Sequence, residues 1–134
     1  DAKGECDSSF RHGAAGFIQV INEKTIAYPE YAGNGVMASI GNIIENPQIG
    51  LLCLDFFDTA IGLHINGRAE IIDNDDFSPE HNNDTKAQRW VCIHIEEAYV
   101  HCSKHVPLLK PLNSDERAAK KDRRIPRAKF FKKH

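Results

Sequence analysis

The feature that most constrains the fold is a spacing in which apolar residues recur at every second position of a short segment. Residues 89–96 show this alternation best. Successive side chains of a β-strand point to opposite faces of the sheet, so this alternation favours a strand with one buried face and one exposed face. The residues of its two predicted faces are Val91, Ile93 and Ile95 on one side, and Cys92, His94 and Glu96 on the other.

Four other segments also have the composition of strands, and turn formers separate them. The first two, 16–22 and 25–28, predict a hairpin with a short loop at Asn22-Glu23-Lys24. Gly67 interrupts the segment 61–72 and predicts a β-bulge or a sharp bend there. Residues 73–88 are polar and predict an exposed loop. The two later strands are expected at 48–56, as a largely buried strand, and at 61–72.

Only one segment has helical spacing. Asn34 is a suitable N-cap, and Asn46-Pro47 ends the helix because the residue before a proline avoids the helical conformation. Several strands with one short helix and no βαβ rhythm predict an antiparallel barrel. The apolar stripe of this helix of about ten residues consists of Val36, Met37, Ile40, Ile43 and Ile44.

The composition is that of one soluble globular domain. The chain has 134 residues, of which 41% are hydrophobic and 27% charged, and this excludes a disordered or collagen-like protein. No apolar run approaches the roughly 18 residues of a membrane span. The chain begins at Asp1 without a methionine, which suggests a shortened form. A hairpin tip at Lys3-Gly4-Glu5 would make Asp1-Ala2 the end of a strand that begins upstream. The four cysteines form no CxxC pair, which favours a reducing, cytoplasmic location.

Charge is distributed unevenly along the chain. Residues 1–109, predicted to form the domain, contain 7 Lys/Arg and 16 Asp/Glu, whereas residues 110–134 contain 10 Lys/Arg and 3 Asp/Glu. The basic segment could dock on the acidic body, on a partner subunit or on nucleic acid. Nucleic acid is disfavoured because Phe130 and Phe131 are the only aromatic residues there and form no interleaved stacking platform.

Three long motifs carry a family resemblance: SSFRHGAAGFIQV (8–20), TIAYPEYAGNGVMASIGNIIENPQIGLL (25–52) and IGLHINGRAEII (61–72). A later segment, IHIEEAYVHCSKHVP (93–107), is similar to the closing strand and its His-Cys-x-Lys sequence. Together they resemble the pyridoxamine 5'-phosphate oxidase-like family, the flavin mononucleotide (FMN)-binding split barrels. The GN-x(6)-GNIIENP pattern is the most specific part of this resemblance.

The resemblance implies a mainly β protein with a six-stranded antiparallel split barrel, one short helix after the second hairpin strand, and a basic C-terminal segment. It implies a homodimer with two FMN sites at the interface and an FMN-dependent oxidoreductase acting on an unidentified small molecule. The alternative is a protein that binds flavin, deazaflavin or haem without turnover. Ala38 and Ser39 stand where family members often carry Lys or Arg, and the Arg-rich substrate pattern of the vitamin B6 enzyme is absent. These departures favour flavin binding over pyridoxamine phosphate oxidation.

The loop 31–35 and the helix that follows it form the predicted phosphate site. A helix N-terminus offers unpaired N–H groups and a positive dipole, and Gly33 and Gly35 allow close approach of an anion. The alternative is that Asn34 only caps the helix and the glycines only turn the chain. Arg11 is either a bidentate phosphate ligand or part of a surface ion pair. The predicted phosphate-binding residues are Arg11, Asn34, Gly35, Ser39 and Asn42.

Two further residues are candidates for contact with the flavin ring. Tyr28 could border the ring system or be an ordinary half-buried strand residue. Gln19 could donate to a flavin carbonyl or simply face solvent. No catalytic side chain is assigned, because a flavin carries the redox chemistry itself.

The seven histidines raise the question of a metal site. His94, His101 and His105 with Cys102 are the candidate ligands, but their spacing matches no zinc signature. His101 and Cys102 are adjacent and would therefore face opposite sides of a strand. No metal is predicted, although a histidine could be an axial ligand of haem.

Overall fold

The computed structural model describes residues 1–31, 38–78, 80–81, 84 and 86–121. Residues 119–121 are described by their backbone alone. Five strands form one antiparallel sheet in the order β1-β2-β5-β4-β3. No described helix is both long and apolar enough to span a membrane. The strands are β1 (Gln19–Asn22), β2 (Thr25–Tyr31), β3 (Gln48–Leu54), β4 (Gly62–Asp73) and β5 (Ala87–His101), and the helices are α1 (Ala38–Glu45) and α2 (Ser114–Lys121).

The predicted mainly β, antiparallel architecture with a short helix after the second hairpin strand is confirmed. The described residues form five strands, so the predicted number of six is not confirmed. Residues 1–13 contain no strand, and β1 begins at Gln19 rather than at residue 16. β2 continues through Pro29 to Tyr31, three residues beyond its predicted end at Tyr28. Pro29 is tolerated because pairing with β1 has already ended at Ala27, leaving that edge of β2 open.

Both faces of the sheet are covered by apolar side chains around β5. Two hydrophobic clusters cover the two faces. The predicted alternation along β5 is confirmed, because residues 91, 93 and 95 belong to the first cluster and residue 92 belongs to the second. The first cluster packs under α1 through Ile43. Its buried members are Ile26, Tyr28, Ile43, Ile65, Ala69, Val91 and Ile93. The second cluster consists of Ala27, Phe77, Ala87, Trp90 and Cys92.

Gly67 lies at a β-bulge, as predicted. The register between β4 and β5 shifts between Asn66 and Gly67. A Cβ atom on Gly67 would lie 2.1 Å from the carbonyl oxygen of His94, so only glycine fits without moving the backbone. The bulge changes the course of the sheet between its buried half and the end that carries Gly62 and His101.

Three details of the predicted burial are wrong. Ile44 is 73% exposed although it was assigned to the apolar stripe of α1, because an eight-residue helix on a sheet buries only a narrow stripe, here Ile40 and Ile43. β3 is an edge strand, so none of its residues is fully buried. Within the loop 73–88, Phe77 is buried and stacks on Trp90 with their ring centroids 4.2 Å apart.

Candidate functional site at the start of helix α1

Residues 1–11, which we call the strap, run along α1 from its end to its beginning. The backbone N–H of Ala2 donates to Glu45 Oε2 at 3.1 Å, near the last turn of the helix. The hydroxyls of Ser9 and Ser39 are 3.1 Å apart at the first turn. The strap therefore covers the part of α1 to which the sequence assigned phosphate binding.

The carboxylate of Asp7 occupies the side-chain donors of the predicted phosphate site. Ser39 Oγ donates to Asp7 Oδ2, and Asn42 Nδ2 donates to Asp7 Oδ1 at 2.9 Å. These hydrogen bonds, chiefly that from Ser39, lower the pKa of the Asp7 carboxyl below its usual value. The structure thus brings Ser39 and Asn42 together around an anionic group, and a phosphate oxygen has the same chemistry as the carboxylate oxygens that they hold.

Arg11 forms a bidentate ion pair with Glu30 in β2. The two nitrogen–oxygen distances are 2.6 and 3.1 Å, and the Glu30 side chain is only 7% exposed. The Arg11 guanidinium carbon also lies 5.5 Å from the centre of the Tyr28 ring. Arg11 and Tyr28 are therefore neighbours, and burial raises the pKa of Tyr28. The charge of Arg11 is balanced by Glu30, so it supplies no net positive charge in this arrangement.

Glu30 is one of the residues that sequence reasoning missed. It is the one carboxylate in the strand TIAYPEY, six of whose seven residues are buried. A buried carboxylate needs a cationic partner, because its desolvation is otherwise too costly. That requirement could have identified the pair from the sequence. Before position 50 the chain has three Lys or Arg residues, and since the sequence places Lys3 and Lys24 at turns, Arg11 is the remaining partner for Glu30.

The remaining predicted site residues are not brought to this cluster. Gln19 is paired with Ala27 in the sheet, which places it on the face opposite Tyr28, and its side-chain amide donates to the Gly16 carbonyl at 2.6 Å. Asn34 and Gly35 lie outside the described residues.

Two of the histidines considered as metal ligands, His94 and His101, lie apart on β5, and His105 follows the strand. His94 lies beside Thr25 and Glu70, whereas Nδ1 of His101 is 2.7 Å from Nε2 of His64 on β4. Tyr99 stacks on His64 with a centroid distance of 4.7 Å. Gly62 makes room for this pair, because a Cβ there would be 2.6 Å from that of His101. Among the described residues there is no group of three or more His, Cys, Asp or Glu that could hold a metal ion.

Comparison with known families agrees with the resemblance noted in the sequence. The sequence model of pyridoxamine 5'-phosphate oxidase matches residues 1–102. The chain belongs to this family. The match spans all five strands, α1 and the strap. No curated protein matches the chain.

Solved structures give the same fold for this member of the pyridoxamine 5'-phosphate oxidase family. HupZ from Group A Streptococcus is similar with a TM-score of 0.51 and 19% identity, over 70% of this chain and 74% of that one. A variant of HupZ with one histidine changed to alanine is similar with a TM-score of 0.50 and 20% identity, over 63% and 73%. At this identity the likeness shows the fold alone, which is the split barrel of the family.

Proposed function

We propose that this protein binds FMN and acts as an FMN-dependent oxidoreductase on a small molecule. The observation that carries the proposal is the pair of donors, Ser39 and Asn42, that hold an anionic carboxylate at the start of α1. A phosphate monoester offers the same donors more oxygen atoms and more negative charge. Membership of the pyridoxamine 5'-phosphate oxidase family supports a flavin as the source of that phosphate.

In this proposal each residue of the cluster has a distinct task. Ser39 and Asn42 donate hydrogen bonds to the phosphate, and the start of α1 contributes the positive end of its dipole. Arg11, whose charge is balanced by Glu30, offers the phosphate the N–H donors that this ion pair leaves unused, and Tyr28 orients Arg11 through the face of its ring. The flavin, when bound, supplies the transfer of electrons. Gln19 is left out of this site because it lies on the other face of the sheet.

The proposal includes a homodimer with the cofactor sites at its interface, in the cytoplasm, where the four unpaired cysteines would stay reduced. Leu63 lies directly between Cys53 on β3 and Val100 on β5, and Val100 is 71% exposed. This apolar row continues from Ile65 in the first core cluster, so a second copy would extend an existing core. Val100→Lys should dissociate the dimer in sedimentation, whereas Val20→Lys, at an equally exposed position on β1, should not.

The test of flavin binding is a titration of the purified protein with FMN and with riboflavin, followed by flavin fluorescence. We expect FMN to bind at least about tenfold more tightly than riboflavin, since charge-assisted hydrogen bonds to the phosphate contribute about 1.5–3 kcal/mol each. A reduced nicotinamide should then bleach the bound flavin. Failure to bind either flavin would refute the proposal, and binding without bleaching by any donor would reduce it to flavin binding.

The His64–His101 pair favours haem binding as a second candidate. In this pair one imidazole fixes the orientation of the other, as hydrogen-bond partners do for metal-ligating histidines. Haem titration should then give a Soret shift that is lost in His64→Ala and His101→Ala and kept in His94→Ala. His94 is the control because it is on β5 but pairs with Glu70 instead. Equal spectra for all four proteins would exclude this pair as the haem ligand.

A further inference from the structure

We propose that Asp7 is an internal competitor for the cofactor phosphate, so that the strap must leave Ser39 and Asn42 before FMN can bind. This inference rests on the proposed function, because it concerns regulation of the same site. It assigns a role to the strap that the family resemblance does not provide.

The geometry requires one anion to replace the other. Both carboxylate oxygens of Asp7 are engaged, one by Ser39 and the other by Asn42. A phosphate bound to the same two side chains would face the Asp7 carboxylate at contact distance, and two like charges at such a distance repel strongly. Simultaneous occupation is therefore unfavourable, and phosphate binding displaces Asp7.

The strap is built in a way that permits this displacement. Nine of its first ten residues are exposed, and Phe10, its one large hydrophobic side chain, is 87% exposed. Its contacts with α1 are polar hydrogen bonds at Ala2, Asp7 and Ser9. Segments held by few apolar contacts open at low free-energy cost. The strap can thus move without exposing any of the sheet core.

Arg11 marks the point where the strap becomes fixed. Its ion pair with the buried Glu30 and its position over the Tyr28 ring tie it to β2. Displacement is therefore confined to residues 1–10, while Arg11 stays next to the site. Removing the Asp7 carboxylate would take away the negative charge held at Ser39 and Asn42 and make the site more favourable for another anion.

The test compares Asp7→Asn with Glu5→Gln, which removes the same charge from the same strap. The Glu5 side chain has no hydrogen-bond partner among the described residues, since its recorded contacts are made by its backbone. Asp7→Asn should bind FMN about tenfold more tightly than the wild type, because the competing charge is gone. Glu5→Gln should change FMN affinity by less than about twofold, and riboflavin affinity should be the same in all three proteins.

A second measurement separates this inference from flavin binding. Inorganic phosphate is titrated into each protein while the side-chain amide resonance of Asn42 is followed by NMR. Asp7→Asn should show a shift at Asn42 at about tenfold lower phosphate concentration than the wild type or Glu5→Gln. That result supports the inference even if no form binds FMN. Equal phosphate responses, or FMN binding that is unchanged or weaker in Asp7→Asn, would overturn it.

Discussion

The sheet and the strap are held in place by opposite kinds of contact. At the centre of the sheet, Trp90, Val91 and Ile93 have no exposed surface, and both faces are packed. The strap buries no large apolar side chain and is attached to α1 by hydrogen bonds at Asp7 and Ser9. The difference indicates that apolar burial fixes the fold, whereas the candidate site is assembled from exchangeable polar contacts. A ligand can take over the hydrogen bonds that hold the strap, but it cannot take over the packing of the buried side chains in the sheet.

The strongest test of this contrast removes one large side chain from each region. Trp90→Ala should lower the free energy of unfolding by about 3–5 kcal/mol, because it removes a fully buried indole that stacks on Phe77 and donates to Asn74. Phe10→Ala should change it by less than about 0.5 kcal/mol. Denaturant unfolding of both variants measures the difference, and similar losses would mean that the strap packs more firmly than its exposure indicates.

Arg11 joins the two regions, so its removal should affect both stability and binding. Arg11→Ala leaves the buried Glu30 carboxylate unpaired and should destabilise the fold by about 2–3 kcal/mol, somewhat less than for a fully buried pair. It should also weaken FMN binding by about ten- to a hundredfold and riboflavin binding far less.

The control for this variant is Arg11→Ala combined with Glu30→Gln. The second substitution removes the unpaired buried charge and should recover much of the stability without recovering FMN affinity. Recovery of both properties would show that Arg11 acts on the fold alone and that the phosphate is held elsewhere.

Two glycines provide the next comparison. Gly67→Ala should destabilise the protein by about 1–3 kcal/mol, because its Cβ would overlap the His94 carbonyl at the bulge. Gly41→Ala in α1 has open space around it and should stabilise the protein by about 0.5–1 kcal/mol through the better helix propensity of alanine. Thermal unfolding measures both changes, and a neutral Gly67→Ala would contradict the tight approach of β4 to β5.

The smallest expected effect is the pH dependence of the strap. The folded-state pKa of Asp7 lies below 3.8, so its stabilising contact is fully present above that pH and is lost as the pH falls through the lowered value. Asp7→Asn should therefore be slightly less stable than the wild type at neutral pH and equal to it in strong acid. Because Asp7 is exposed, the difference should be small. If the stability difference between the wild type and Asp7→Asn grew as the pH fell, the ionised Asp7 carboxylate would not be what stabilises the strap.

Much of the fold follows from local sequence. The alternation along β5 is set by side-chain period, the hairpin around Asn22 by turn-forming residues and the bulge by the requirement for glycine at position 67, and each was predicted. The sequence did not predict the exposure of Ile44 or the burial of Phe77. Both depend on which surface lies opposite, which is a property of the tertiary arrangement.

The candidate site was only partly predictable. Ser39 and Asn42 were identified because they carry side-chain donors near the start of the predicted helix, and the structure brings them together. Arg11 was identified as a cation near the site, but its pairing with Glu30 depends on the path of the strap across β2. Asp7 and His64 were missed because their partners, on α1 and at the end of β5, are more than 30 residues away in the chain.

The most direct test of the central claim is the difference in affinity between FMN and riboflavin, measured on the wild type and on Ser39→Ala. The two ligands share the ring system and differ by the phosphate, so their difference reports the phosphate contact alone. We predict that the wild type binds FMN at least about tenfold more tightly and that Ser39→Ala, which loses one donor, reduces this ratio severalfold with little change for riboflavin. Equal affinities of the wild type for the two ligands, or a ratio unchanged by Ser39→Ala, would contradict a phosphate site at the start of α1.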